Sequence, residues 1–239
     1  MAKSRVLVLG ATGPAGICVL RELVHRDFTA VAYVRNRSKI PEDLLANPLL
    51  EVVEGQLDTM DKLSEAVARS NAVISLLGPQ LGNASDPSPF PAFYAALCGL
   101  MRQHGVKRIF ACCTPSYVDA KEDAPSVVRW LMVQGIKLIS KPSYRAMVGI
   151  GETFAQSDKA DGVDWTLFRV AMIPGGSDEE SWTRDREVGG VYVGPVGRDW
   201  STSIKRARLA RWLVDCVESG AVELIGKTPC VGGTKEVAA

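Results

Sequence analysis

Three glycines spaced three apart constrain this chain more than any other stretch: Gly10-Ala-Thr-Gly-Pro-Ala-Gly16. An apolar run, Arg5-Val-Leu-Val-Leu9, leads into them. A helical stretch, Pro14 to Arg26, follows with Ile17, Leu20, Leu23 and Val24 on one face, and then a second β-rich run, Thr29-Ala-Val-Ala-Tyr-Val34. The order is strand, tight turn, helix, strand. In such a unit the first glycine allows the turn, the second lets a pyrophosphate approach the backbone, and the third lets the helix pack close to the strand. The helix start adds free N–H groups and a partial positive charge, and Pro14 fits a first-turn position, where a missing N–H costs nothing. Gly10, Thr12, Gly13, Pro14, Ala15 and Gly16 are therefore read as the phosphate cradle of a dinucleotide site. The bland alternative is a glycine turn that merely packs an α/β sheet; the flanking strand and helix favour the cradle.

The end of the second strand selects the dinucleotide. An acidic residue there suits the ribose 2′-hydroxyl of NAD, and arginine suits the 2′-phosphate of NADP. This chain carries Arg35, Arg37 and Lys39, with no acidic residue before Glu42. Guanidinium forks match phosphate oxygens, so the reading is NADP(H) over NAD(H). A solvated basic loop is the competing reading.

Strands and helices then alternate. A short helical turn spans residues 41–46, a third strand 50–54, an amphipathic helix 59–70 and a fourth strand 71–77, ending at Leu76-Leu77-Gly78 where backbone can approach a ribose. Residues 80–91 form a polar, proline-rich loop that either borders the site or is a surface connection. A helix over 92–104 and a fifth strand over 106–113 follow. This alternation predicts an α/β doubly wound parallel sheet of the Rossmann type with right-handed crossovers, in a single domain spanning 1–239.

Composition excludes several functions. The 239 residues are 46% hydrophobic with net charge +1, which supports a sizeable core and gives no electrostatic case for nucleic acid or an anionic membrane. Six cysteines and two histidines lack metal-ligand spacing, so no metal is expected. The first strand begins at once, with no room for a signal peptide, and no stretch is long enough to span a bilayer; a cytoplasmic protein with reduced thiols is expected. A homodimer is left open, because nothing in the sequence marks an interface helix.

Gly10-x-x-Gly-x-x-Gly16, Arg35, Ile74-Ser-Leu-Leu-Gly78, His104-Gly-Val-Lys-Arg108 and Asp164-Trp-Thr-Leu-Phe-Arg169 together resemble the NmrA-like branch of the atypical short-chain dehydrogenase/reductases. Val191-Tyr-Val-Gly194 and Ala210-Arg-Trp-Leu-Val-Asp215 are similar to a fungal, specialised-metabolism subset of it. The resemblance covers nearly the whole chain. It implies that Gln56 and Leu57, after the third strand, lie near the adenine, where relatives have Gly-Asp and this chain has Gly55-Gln56. It also implies that Thr114 and the stretch Val170-Ala171-Met172 line the nicotinamide. The wider superfamily pairs Ser or Thr after the fifth strand with Tyr-x-x-x-Lys on the next long helix. Here Thr114 supplies the hydroxyl and Tyr144 matches the tyrosine, but Val148 stands in place of the lysine. Tyr117-Val-Asp-Ala-Lys121 also fits the pattern, but it comes only three residues after Thr114, too early for the usual helix, and reads as a coincidence of spacing; Tyr117 is held in reserve as a proton donor.

Other segments carry readings of their own. Val127 to Ile139 is an apolar helix, either core or a hydrophobic wall or lid beside the substrate. Lys121-Glu-Asp123 ahead of it either brings charge to its rim or, the favoured reading, is a solvated turn, and Arg169 reads as a structural ion-pair partner. Residues 175–185 are polar, either a flap or a surface loop. Residues 191–193 and 222–225 read as short strands of a small substrate lobe built from parts of 115–145 and 170–239, with a helix over 203–219 and a loosely held tail after Thr228. Three functions fit: an NADP(H)-dependent oxidoreductase acting on a hydrophobic small molecule, a redox-mediated or redox-neutral cyclase or isomerase on the same fold, and an NmrA-type dinucleotide-sensing regulator.

Overall fold

A computed structural model describes residues 4–79, 85–86, 88–156 and 160–234. Eight strands form one sheet: β1 (Arg5–Leu9), β2 (Thr29–Val34), β3 (Leu50–Glu54), β4 (Ala72–Ser75), β5 (Arg108–Cys113), β6 (Asp164–Arg169), β7 (Val191–Gly194) and β8 (Cys230–Gly233). Their order is β3-β2-β1-β4-β5-β6-β8-β7. Every pairing is parallel except β7 with β8. The helices are α1 (Pro14–His25), α2 (Glu42–Leu45), α3 (Met60–Ala68), α4 (Phe90–Gln103), α5 (Val127–Ile139), α6 (Lys141–Ala155), α7 (Glu179–Asp185) and α8 (Arg206–Ser219). Among the described residues no helix is long and apolar enough to cross a membrane.

Both faces of the sheet are covered, which is why its central strands are apolar throughout rather than alternating. In β1, Val6 and Val8 join one core with α1 and α8, through Ile17, Leu20, Leu209 and Leu213. Leu7 and Leu9 join the other, with Leu63 of α3, Tyr94 and Leu97 of α4, and Ile150 of α6. The strand order turns back between β1 and β4, and a crevice at such a switch point is where this architecture binds ligands.

The second half departs from several expectations. Of the stretch after Thr228, residues 229–234 are no loose tail: Cys230 and Val231 are fully buried in β8, which pairs with β6 at Arg169 and with β7 along its length, and residues 235–239 lie outside the described residues. The strand expected at 222–225 is instead a short 3-10 turn, Val222–Leu224, entered through a left-handed Ala221. Cys-Val-Gly-Gly is too short and glycine-rich to show a strand pattern, yet Gly232 is needed where Ser201 presses on the backbone. β7 and β8 thus continue the main sheet. Residues 175–185 are likewise anchored: Asp178 caps α7 by accepting from Ser181 N at 2.8 Å, and Trp182 is buried edge-on to His25. One buried tryptophan holds an otherwise polar segment.

Asp123 corrects the reading of a solvated turn. Its carboxylate is fully buried and accepts from both terminal nitrogens of Arg169, at 2.5 and 2.8 Å, and from Arg129, Asp119 N and Val196 N. Arg169, fully buried itself, also donates to Thr228 O and Tyr117 O. The ion pair expected of Arg169 is present. It ties the segment after β5 to β6 and to the approach of β8.

Candidate functional site

A groove of about 610 Å³ opens along the carboxyl edges of β1, β2 and β4. Its floor is the glycine turn. Gly10 has φ +78°, and a Cβ there would come within 3.0 Å of the Leu76 backbone. Leu76 N donates to Leu9 O at 2.9 Å, so the ends of β1 and β4 are drawn together at the switch point. Gly16 faces inward, where a Cβ would overlap Gly10 O and lie 2.7 Å from Ala11 Cα. Gly13 differs. A Cβ there would meet only Gly10 O, at an ordinary 3.4 Å, and Gly13 lines the groove. The open side of Gly13 therefore leaves room for a bound group to approach the backbone.

Gly13 is the N-cap of α1 and Pro14 opens its first turn. The amides of Ala15 and Gly16 have no acceptor among the described residues. Two free donors at the positive end of a twelve-residue helix could hold a phosphate. Thr12 and Pro14 line the groove with Gly10 and Gly13.

At the end of β2 the basic loop is a short 3-10 turn, Arg37–Lys39, capped by Asn36 Oδ1, which accepts from Ser38 N at 2.9 Å and Ser38 Oγ at 2.8 Å. Arg37 N donates to Glu54 Oε1 at 2.7 Å. The turn sends Arg35 and Lys39 to the groove wall and leaves Arg37 outside it. Both groove cations are exposed, and no aspartate or glutamate lines the groove among the described residues.

Of the residues read as cofactor-binding, Leu57, Leu76, Leu77 and Gly78 line the groove, whereas Gln56 does not; its carbonyl accepts from the Tyr33 hydroxyl at 2.7 Å. Tyr33 itself lines the groove, with its ring laid against Gly55 where a side chain would clash. The sequence reading missed Tyr33. An aromatic residue next to last in a buried strand looks like core, and only the glycine at the end of the neighbouring strand hinted that its ring needed room. Ser85, Ser88, Pro89 and Phe90 also line the groove, so the described part of the proline-rich loop borders it; residues 80–84 and 87 lie outside the described residues.

Thr114 and Val170-Ala171-Met172 sit at the ends of β5 and β6, outside the lining of the groove. They are neighbours: Val170 N donates to Cys113 O at 3.1 Å. Val170 is buried, while Met172 is half exposed and bridges to Ser203. Thr114 starts a turn, its carbonyl accepting from Tyr117 N at 3.1 Å and its hydroxyl from Ser116 N at 3.4 Å.

The two tyrosines meet α6 at different heights. Tyr144 is half-buried in its first turn, and Lys137 Nζ lies 4.5 Å from the centre of its ring. Val148 is one turn on. Met147, between them, reaches Gly78, where its Cε occupies the space a Cβ would take. The start of α6 is thereby placed beside the end of β4. Tyr117 packs its ring on Gly151, farther along the helix, and burial raises its hydroxyl pKa above the ordinary value, with Asp119 adding to the rise. No residue of α5 lines the groove, and none is buried, so this helix forms neither core nor a wall of the groove.

The sequence profile of a family described as NAD(P)H-binding matches residues 10–220. The chain belongs to that NAD(P)H-binding family. The matched span runs from the first glycine of the cradle to the end of α8 and so contains the whole described groove. Solved structures share the fold across nearly the full chain. A short-chain dehydrogenase/reductase from Veillonella parvula, solved in complex with NADP, has a TM-score of 0.73 at 14% identity, covering 96% of this chain and 94% of its own. An anaerobillin reductase from Escherichia coli has a TM-score of 0.72 at 14% identity, covering 99% and 100%. An oxidoreductase from Lactococcus lactis has a TM-score of 0.67 at 16% identity, covering 97% and 91%. At these identities the likeness is one of fold. The residues that set family members apart must be read from this chain's own groove.

Proposed function

We propose that this protein is an NADP(H)-dependent oxidoreductase that reduces a hydrophobic small molecule, in the manner of the fungal specialised-metabolism enzymes its sequence resembles. One observation carries the choice of dinucleotide. Arg35 and Lys39 stand on the groove wall past β2, and no carboxylate shares that wall among the described residues. A 2′-phosphate finds two cations there, and a free 2′-hydroxyl finds no acidic acceptor. The cradle at Gly13 and the free amides of Ala15 and Gly16 fit a pyrophosphate. When bound, the reduced dinucleotide supplies a hydride equivalent. The chain's own part is to hold the phosphates, position the substrate beside the β5 and β6 ends, and deliver a proton from Tyr144 or Thr114, with Tyr117 in reserve.

A second reading has an observation behind it. Val148 leaves no lysine one turn after Tyr144, and Lys137 lies over the tyrosine ring from α5. A cyclase or isomerase that ends with its dinucleotide unchanged needs no standard Tyr-Lys donor. The two readings separate on whether dihydronicotinamide absorbance falls in step with product.

Replacing Arg35 with alanine tests the choice of dinucleotide. Loss of a charge-assisted contact to phosphate weakens NADPH binding by ~10–100-fold and leaves NADH binding within ~2-fold. Equal effects on the two nucleotides, measured by fluorescence titration, would move the 2′-phosphate site away from Arg35.

A further inference from the structure

Six of the ten large hydrophobic side chains that stand exposed among the described residues belong to one helix, α5. Val127, Val128, Trp130, Leu131, Leu138 and Ile139 are 53–88% exposed. Five of them share one side of the helix, on which Gln134 is the sole polar residue and no charge occurs, and Trp130 stands at its edge, one heptad before Lys137. The helix is held at both ends: Ser126 Oγ accepts from Arg129 N at 3.2 Å, and the buried Ser140 closes α5 and caps α6. A rigid helix with an uncharged apolar face is built to be covered.

We infer that this face pairs with the same face of a second copy of the chain, α5 against α5, around a two-fold axis. Val128, Leu131, Gly135 and Leu138 recur at steps of three and four, the spacing of a seam between two helices. The seam is complementary to itself. With the axis level with residue 133, Val128 meets Leu138 of the second copy and Leu131 meets Gly135. Val127 and Ile139 flank the seam in the same relation. A side chain at Gly135 would meet nothing within 4 Å, so a large side chain from outside has room there. A closed two-fold interface needs this reciprocity.

Size and charge favour a second copy over other occupants. The six side chains expose on the order of 700 Å², above the ~300–600 Å² of the largest patch on a typical monomer and near the ~800 Å² per partner of a standard interface. A face without charge sets no like charges against each other when it meets itself. A lipid-surface helix carries free cations beside its apolar face. Here Arg129 is paired with Asp123 at 3.1 Å and Lys137 lies over Tyr144. The inference is independent of which nucleotide the groove takes.

Sedimentation velocity across micromolar concentrations tests it, with the double variant Leu131→Asp/Leu138→Asp run alongside. The wild type is expected to sediment at twice the 25.8 kDa chain mass. The variant, changed only at exposed positions, is expected to keep its circular dichroism and to dissociate at least ~100-fold more readily. A second variant, Leu131→Cys/Gly135→Cys, is expected to form a covalent dimer on mild oxidation. A wild type that stays monomeric at tens of micromolar overturns the inference. A dimer that neither loses affinity with the aspartates nor cross-links through the cysteines overturns it too, placing the interface elsewhere. Monomeric wild type that co-sediments with neutral phosphatidylcholine vesicles overturns it in favour of a lipid surface.

Discussion

Asp123→Ala is expected to destabilise the fold by ~3–5 kcal/mol, the cost of leaving a buried charge without its partner. Arg169 has no exposed surface, and its guanidinium would face a cavity in place of a carboxylate. For a chain of 239 residues that is a drop in Tm on the order of 10 °C. The loss has a direction in pH. Burial pushes the Asp123 carboxyl pKa up, but hydrogen bonds from Arg169 and Val196 N and the arginine charge outweigh it, and the net shift is downward. A depressed carboxylate stabilises the fold above its unfolded pKa, about 3.9, and that contribution fades as pH falls through the lower folded value. The wild type should therefore lose its advantage over Asp123→Ala in acid and keep it at neutral pH. The double variant Asp123→Leu/Arg169→Met should recover part of the loss, because the fully buried Arg169 charge is gone and only the partly exposed Arg129 loses its partner. Thermal melts that differ by less than about 2 °C between wild type and Asp123→Ala would show that the buried pair contributes nothing.

Gly13→Val and Gly16→Ala should separate binding from folding. At Gly13, which lines the groove, a Cβ would meet only Gly10 O at 3.4 Å, so the variant is expected to melt within a few degrees of wild type. It should nevertheless bind dinucleotide at least ~100-fold more weakly, since on the proposed function its side chain takes the space of the pyrophosphate. At Gly16 a single methyl overlaps Gly10 O and crowds Ala11 Cα, so the turn itself must move. That variant should lose both stability, by ~1–3 kcal/mol, and binding. Differential scanning fluorimetry with and without nucleotide reads both effects. If Gly13→Val still binds like wild type, the cradle is not where the phosphates sit.

The first half of the chain was legible because its signals are local. Apolar strands, the glycine turn and amphipathic helices follow one another in order, and the sheet from β1 to β6 matches the expected alternation. Leu76, Leu77 and Gly78 were placed by the same logic, at a strand end on one edge of the sheet, and Leu57 by the family resemblance. What failed depends on partners distant in sequence. Nothing near Asp123 in the chain announces that Arg169, 46 residues later, will bury it. β8 is four residues with two glycines, and only its insertion between β6 and β7 makes it a strand. α5 is apolar enough to read as core; its exposure becomes visible only once every neighbouring surface is already packed. Arg37 was grouped with Arg35 and Lys39 by sequence, and the 3-10 turn capped by Asn36 separates it from them.

The most direct measurement is calorimetric titration of the unaltered protein with NADPH and with NADH in the same buffer. Two cations and, among the described residues, no carboxylate on the groove wall predict NADPH binding at least ~10-fold tighter than NADH, a preference that shrinks as salt screens the exposed arginine. Equal affinities, or tighter binding of NADH, would contradict the assignment of Arg35 and Lys39 to a 2′-phosphate.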